Sequence, residues 1–393
     1  MKINDYKTKN ILYLNHTAKW SGGEIALFRS LSAINKQTLS PNIFLAEDGI
    51  LADKMRSIGV NTEVLVLGEK AIELRKDQLD KKTVLNMESL IEYIKYSIML
   101  SKRMSDMKTD LVHCNSLKSD IYGGIAGRIS RIPVIWHVRD HISHPYLPKK
   151  IVSVFKKLAK ILPSGIITNS ESTLNCLFGN SYMKNKSRVI YDGLTNEELN
   201  SLPRNAFCSW NEIPKIGILG RIVEWKGQHV FLDAAEILLQ RGVVAKYQVI
   251  GASLFGEDGY ESIIVSKAEK LKSSVEFLGF RSDVKNILQN LDILVHCSIL
   301  PEPFGQVIIE GMAEGLPVIA TNAGGVKEII THNVDGILSP LGDEIALAND
   351  LENLLAQPGY ASKLGQKAYF KIREKFTAEN SARAIESFYH ELL

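Results

Sequence analysis

Short, uninterrupted runs of β-branched and aliphatic residues alternate with longer stretches of helical spacing, and the alternation starts again halfway along the chain. In the first half, "NILYLNH" (10–16), "PNIFLAE" (41–47), "TEVLVLG" (62–68), "DLVHCNS" (110–116), "PVIWHVRD" (133–140), "GIITNS" (165–170) and "RVIYDG" (188–193) have the pattern of strands. They lack the strict polar alternation of a one-sided strand, as expected of strands covered on both faces of a parallel sheet. Helical spacing fills 24–36, 84–107, 118–131 and 148–162. The second half repeats the plan with "KIGILGR" (215–221), "KYQVIG" (246–251), "VEFLGF" (275–280), "DILVHCS" (292–298) and "PVIATN" (317–322). Each half therefore predicts an α/β, doubly wound open sheet of Rossmann type.

At 393 residues the chain exceeds one ordinary core, which agrees with two domains. The weak join is "TNEELNSLPRNAFCSWNEIP" (195–214), polar and holding two prolines. The predicted domains are 1–200 and 201–376. A closing helix follows in "TAENSARAIESFYHELL" (377–393), with Thr377 as N-cap candidate. The groove between two such domains is the default ligand site.

Charge divides along the same line. Residues 1–205 carry 30 Lys and Arg against 20 Asp and Glu, residues 206–393 carry 17 against 24, and the chain nets +3. A basic first half suits a negatively charged surface. No apolar run reaches the roughly 20 residues that span a bilayer, and the polar N-terminus does not look like a signal peptide. Cys114, Cys176, Cys208 and Cys297 are scattered without metal-ligand spacing, which points to a reducing cytoplasm and away from a zinc site or disulfide framework.

In such sheets ligands sit at the carboxyl ends of strands, where helix N-termini offer free N–H groups. Gly22-Gly23-Glu24 follows the first strand and opens a helix; a bound anion could approach its backbone closely, although many such glycine pairs are only turns. Neither GxGxxG nor GxxxxGK[ST] occurs, which disfavours dinucleotide dehydrogenases and P-loop enzymes. Gly220-Arg221 ends the first strand of the second half, with Lys226 five residues on. Two cations there suit a diphosphate, or they form a solvated pair. "PEPFGQVIIEGMAEG" (301–315) sets Glu302 in a loop and Glu310 about a turn inside a helix. The N–H groups of Gly305, Gln306 and Val307 have no partner within that helix, and an ionised Glu310 would accept from two neighbouring hydroxyls. A surface role is the alternative for both carboxylates.

"PEPFGQVIIEGMAEGLPVIATNAGGVKEII" resembles the glutamate-x7-glutamate segment of family 4 (GT4) glycosyltransferases of the GT-B fold. Arg221 and Lys226, Gly22-Gly23, "FLGF" (277–280) and "NAGGVKEI" (322–329) fit the same family. The resemblance covers both halves and is most specific in 215–340. It implies a retaining transfer of sugar from a nucleotide-diphosphate sugar, UDP-linked by preference and GDP-linked otherwise, to a glycan or lipid-linked acceptor in cell-surface polysaccharide or glycoconjugate synthesis. Arg221 and Lys226 would offset charge on the departing diphosphate without a metal. The absence of a DxD pair agrees, so no cofactor is expected. Glu310 would hold the ribose hydroxyls, Glu302 with the Phe304–Val307 backbone the donor sugar, and Phe280 and Arg281 the base. Gly23 would approach the phosphates from the first domain. His137, ending the fifth strand and oriented by Arg139 or Asp140, would stand by the sugar and acceptor. As in relatives, the last helix would pack back on the first domain.

"YLPKKIVSVFKKLAKILPSG" (146–165) puts Ile151, Val154, Phe155, Leu158 and Leu162 on one helical face and Lys149, Lys150, Lys156, Lys157 and Lys160 on the rest. It would lie on an anionic membrane at the inner face of the plasma membrane, or pack on its own sheet. "SLIEYIKYSIMLSKRM" (89–104) adds a similar pattern. Nothing resembles a nucleic-acid module. The competing functions are a glycosidase using Glu302 and Glu310, a nucleotide-sugar epimerase, and a non-catalytic partner of another transferase.

Overall fold

The computed structural model describes residues 8–66, 87–179, 185–200, 210, 212–253 and 258–393. They divide into two compact units, Met1–Thr195 with Ala378–Leu393, and Asn196–Thr377. Half of the linker predicted at 195–214 lies outside the described residues, as do 67–68 of the third predicted strand and 84–86 of one predicted helix.

Unit 1 is built on a parallel sheet of β1 (Lys9–Asn15), β2 (Leu39–Leu45), β3 (Asn61–Val64), β4 (Leu111–Cys114), β5 (Val134–Val138), β6 (Gly165–Thr168) and β7 (Ser187–Val189). Their order is β3-β2-β1-β4-β5-β6-β7. Unit 2 holds β8 (Lys215–Leu219), β9 (Lys246–Ile250), β10 (Val275–Gly279), β11 (Ile293–His296), β12 (Val318–Thr321) and β13 (Ile337–Ser339). These are also parallel, ordered β10-β9-β8-β11-β12-β13. Every residue of β4, β5, β6, β11 and β12 is buried, which is why those segments carry no polar alternation. The sequence pattern gave no sign of β13, whose three residues are too few for any periodicity.

In each sheet the chain builds outward in one direction and then restarts beside its first strand. The reversal falls between β1 and β4 in unit 1 and between β8 and β11 in unit 2. At such a point the neighbouring connections leave to opposite faces and open a crevice at the carboxyl edge.

The terminal helix Ala378–Leu392 belongs to unit 1 and buries Ala382, Ile385, Phe388 and Tyr389 in its core. Gly165 at the start of β6 makes room for it, since a Cβ there would stand 2.7 Å from Phe388 Cζ. Arg188 lies 5.0 Å from the Phe388 ring centroid and pairs with Glu391. Burying a side chain of the size of Phe388 is worth about 1.5–3 kcal/mol, which helps hold this helix on the sheet.

The lysine-rich helix spans Lys149–Ile161, and its core-facing stripe keeps Phe155, Leu158 and Leu162 of the predicted face but not Val154. Phe155 and Ala159 are buried, with Val152, Leu158 and Leu162 packed against the core. Val154 points outward, 55% exposed, with Ile161 at 62%. The tilted ring contact of Phe155 with Trp136 of β5, centroids 5.1 Å apart, sets that orientation.

Candidate functional site

In unit 2 two loops at the β8/β11 reversal are drawn together by glycine. The turn Glu224–Lys226 ends in Gly227, at φ +74°, where a Cβ would overlap the Cys297 carbonyl oxygen. The backbone N–H of Ile299 donates to Trp225 O at 2.8 Å and ties the two loops. On the far side, a Cβ on Gly324 or Gly325 would overlap the backbone of Glu302 or Pro303, and Gly325 N–H donates to Glu302 O at 2.8 Å. The "NAGG" motif is thus the seat of the Glu302 loop.

That packing brings Lys226 and Glu302 together. Lys226 Nζ lies 2.6 Å from Glu302 Oε1, His296 Nε2 lies 2.8 Å from the same oxygen, and Ser298 Oγ donates to it as well. Burial alone would raise the Glu302 carboxyl. The charges and hydrogen bonds of Lys226 and His296 outweigh burial and hold it well below the usual carboxylate range. A carboxylate so held is a poor general acid, which weakens the glycosidase reading for Glu302.

The stem of Lys226 runs past Gly220, 3.9 Å from where a Cβ would sit, so its ammonium stands near the strand end that carries Arg221. Arg221 is half-buried, and its carbonyl accepts from Gln228 Nε2 at 2.8 Å. Phe304, Gly305 and Val307 are buried and Gln306 half-buried at the start of the helix Gln306–Ala313, whose N-terminus at Gly305 has no side-chain cap. Glu310 is half-buried in the second turn. Phe280 and Arg281 stand apart, beyond edge strand β10, two strands from β8. Phe280 is 65% exposed, and Arg281 makes a two-pronged bond to Asp283 at 2.7 and 2.8 Å.

Unit 1 gathers a second polar cluster at its own reversal. Gly22 and Gly23 open the helix Gly22–Ala33, and a Cβ on Gly23 would lie 3.9 Å from Arg139 Cδ. Arg139 donates to Asn115 Oδ1 at 3.0 Å and forms a buried ion pair with Asp192. Asn115 donates to Gly23 O at 3.3 Å. Glu24 is buried, bonded by Asn15 Nδ2 at 3.1 Å and by Ser21, and burial raises its pKa. His137 is the penultimate residue of β5 and fully buried, with Nδ1 3.0 Å from His113 Nε2 and 3.3 Å from Arg139 Nη2. Of the two residues expected to orient His137, Arg139 touches it, and Asp140 accepts from Tyr146 at 2.7 Å.

Sequence reasoning missed His296, Ser298, Asn115, Asp192 and His113. The available signal was a polar residue within, or immediately after, an otherwise apolar strand. Among the described residues no group of three or more His, Cys, Asp or Glu side chains converges as a metal site requires.

A family profile described as "Glycosyl transferases group 1" matches residues 210–371, and one described as "Glycosyltransferase Family 4" matches 51–198. The capsular polysaccharide biosynthesis glycosyltransferase CapM of Staphylococcus aureus is 24% identical over 348 residues, covering 85% of this chain and 91% of its own. An Escherichia coli UDP-Gal:alpha-D-GlcNAc-diphosphoundecaprenol alpha-1,3-galactosyltransferase is 26% identical over 67% of this chain and 70% of its own. Among solved structures, Anabaena HepE in complex with UDP and glucose superimposes with a TM-score of 0.82 at 24% identity, over 97% of this chain and 99% of its own.

Proposed function

The chain belongs to the family 4 glycosyltransferases of the GT-B fold, and from that premise we propose that it moves a sugar, with retention of anomeric configuration, from a UDP-sugar to a glycan or lipid-linked saccharide in cell-surface polysaccharide synthesis. The observation that carries this reading is the Lys226–Glu302–His296 cluster at the β8/β11 reversal, beside Arg221 and an uncapped helix N-terminus. A cationic strand end next to a helix N-terminus is a seat for a diphosphate. UDP as carrier is favoured by the UDP in HepE and by the UDP-Gal in the E. coli relative's name.

In this reading Arg221 and Lys226 neutralise charge that develops on the departing diphosphate, the work a leaving group demands. No metal is required of them. Glu302 orients Lys226 and takes sugar hydroxyls with the Phe304–Val307 backbone. Glu310 accepts from the ribose diol, and Phe280 with Arg281 meets the base. In unit 1, Gly23 and His137 contact substrate. The basic helix Lys149–Ile161 rests on anionic lipid at the inner face of the membrane, where a lipid-linked acceptor would be found. Residues 141–170 contain five lysines and no Asp or Glu, and the outward Val154 and Ile161 add apolar contacts among the lysines. No described helix is long and apolar enough to cross a membrane.

The deciding experiment is a thermal-shift screen of UDP, GDP, ADP and their sugars, followed by nucleotide release with candidate acceptors. A rise in melting temperature with UDP or a UDP-sugar, and acceptor-dependent UDP release, are expected. Stabilisation only by GDP or ADP compounds would overturn the donor assignment. Interconversion of donors with no acceptor present would favour the epimerase.

A further inference from the structure

His137 has two competing partners at one nitrogen. Its Nδ1 meets His113 Nε2 and Arg139 Nη2, while its Nε2 is buried with no partner among the described residues. A neutral imidazole carries one proton, so whatever fixes Nδ1 decides whether Nε2 accepts or donates. A guanidinium only donates; if Arg139 governed, the proton of His137 would sit on Nε2.

The other side of the ring points to the opposite arrangement. Tyr389, from the terminal helix, donates its hydroxyl to Tyr13 at 2.8 Å and stands 2.6 Å from His113 Nδ1. With its one proton committed to Tyr13, the Tyr389 oxygen accepts from His113 Nδ1–H. His113 is fully buried, and burial together with the charge of Arg139 lowers its pKa to about 3, so the ring is neutral. Its Nε2 is then a bare lone pair facing His137 Nδ1, which must supply the proton between them. The His113 contact, at 3.0 Å, is shorter than the 3.3 Å to Arg139, whose guanidinium is already held by Asn115 and Asp192.

Tyr13, His113 and Tyr389 are each at most 2% exposed, so behind His137 the polar chain runs through a core where water cannot substitute for a missing partner. Tyr13 and His113 are register partners on β1 and β4, and Tyr389 closes the chain from a segment 276 residues beyond His113.

We propose that Tyr389 and His113 are positioning residues that lock His137 in the Nδ1-protonated tautomer, so that Nε2 accepts a hydrogen bond from a substrate hydroxyl. The proposal rests on the reading of His137 as a substrate contact. Removing the lock gives Nδ1 to Arg139 and turns Nε2 from acceptor into donor.

Nitrogen-15 NMR of histidine-labelled, ligand-free protein distinguishes the two neutral tautomers. Wild type is expected to carry the His137 proton on Nδ1. Tyr389→Phe removes only the hydroxyl and is expected to move that proton to Nε2, lowering kcat about tenfold with donor KM within about twofold. Tyr13→Phe tests the same logic independently: deprived of its acceptor, Tyr389 donates to His113 Nδ1, and the same change follows. An Nε2-protonated His137 in wild type, or a tautomer unchanged in both folded variants, overturns the lock. A tautomer that changes while turnover stays at the wild-type level overturns the substrate role of His137 and leaves the lock standing.

Discussion

Lys226 Nζ and Glu302 Oε1 lie 2.6 Å apart across 76 residues of chain, and both side chains are largely withdrawn from water. Each is what makes the burial of the other tolerable. Replacing Lys226 with Met leaves a carboxylate in a low-dielectric pocket, at an expected cost of about 3 kcal/mol. Adding Glu302→Gln to Lys226→Met removes the stranded charge, so the double variant should be more stable than Lys226→Met alone. Denaturant unfolding of the four proteins measures the coupling, and strictly additive effects would contradict it.

Donor affinity and turnover should separate Glu310 from Arg221. Glu310→Ala is expected to raise the donor dissociation constant about tenfold, the scale of one lost charged hydrogen-bonding group. Arg221→Ala should lower kcat by about 100-fold, as expected for a group that stabilises a departing charge. Calorimetry with UDP and a nucleotide-release assay read the two effects; full activity in both variants would remove the assignment of Arg221 and Glu310.

The seat of the Glu302 loop makes a prediction that has an internal control. Gly324 and Gly342 both sit at positive φ, +65° and +68°, so alanine strains the backbone at each, by about 1–2 kcal/mol. Only at Gly324 would the new Cβ overlap the Glu302 backbone; at Gly342 its nearest neighbour is Ile299 Cγ2 at 3.9 Å. Gly324→Ala should therefore cost clearly more stability than Gly342→Ala and should also reduce turnover. Equal unfolding midpoints for the two would show that the close approach carries no weight.

Acid sensitivity should come from the buried histidine pair. Burial first, then the charge of Arg139, lowers His113 to about 3 and holds His137 well below its ordinary value. Below pH about 6.5 the unfolded chain binds protons that the native rings refuse, so stability is full above that pH and falls as pH drops toward the folded-state values. Each ring contributes a slope of about 1.4 kcal/mol per pH unit within the window. Glu302, whose folded pKa is depressed, adds its own loss only once pH falls below the ordinary carboxylate value. Unfolding free energies measured from pH 7 to 5 should fall steadily, and a flat profile would refute a neutral buried pair.

On vesicles, binding through the Lys149–Ile161 helix should require anionic lipid and weaken with salt. Lys157→Glu with Lys160→Glu, both on the exposed side, should abolish flotation with such vesicles while leaving UDP binding unchanged. Flotation that persists in the double variant would move the contact to another surface.

Much of the architecture was legible before any coordinates. "DLVHCNS" and "PVIWHVRD" declared strands buried on both faces, and they became β4 and β5. The three-residue strand Ile337–Ser339 was not legible, because pairing with β12, not its own periodicity, makes it a strand. The lysine helix was recognised, with Phe155, Leu158 and Leu162 inward as its spacing predicts, but Val154 faces outward while Phe155 meets Trp136. In the site, glycines and charges at strand ends could be found from their order. His296 could not, since a histidine inside an apolar run looks the same whether it meets Glu302 or an ordinary backbone carbonyl.

The chain by itself determined two parallel sheets and the strand ends at which chemistry could stand, because burial on both faces imposes an apolar run that composition cannot hide. Which side chains meet at those ends was decided only in three dimensions. Sheet order sets β11 beside β8 and hence Glu302 against Lys226, and the returning terminal helix sets Tyr389 behind His113. Contacts between residues 76 and 276 positions apart depend on register and packing, and no local preference along the chain encodes them.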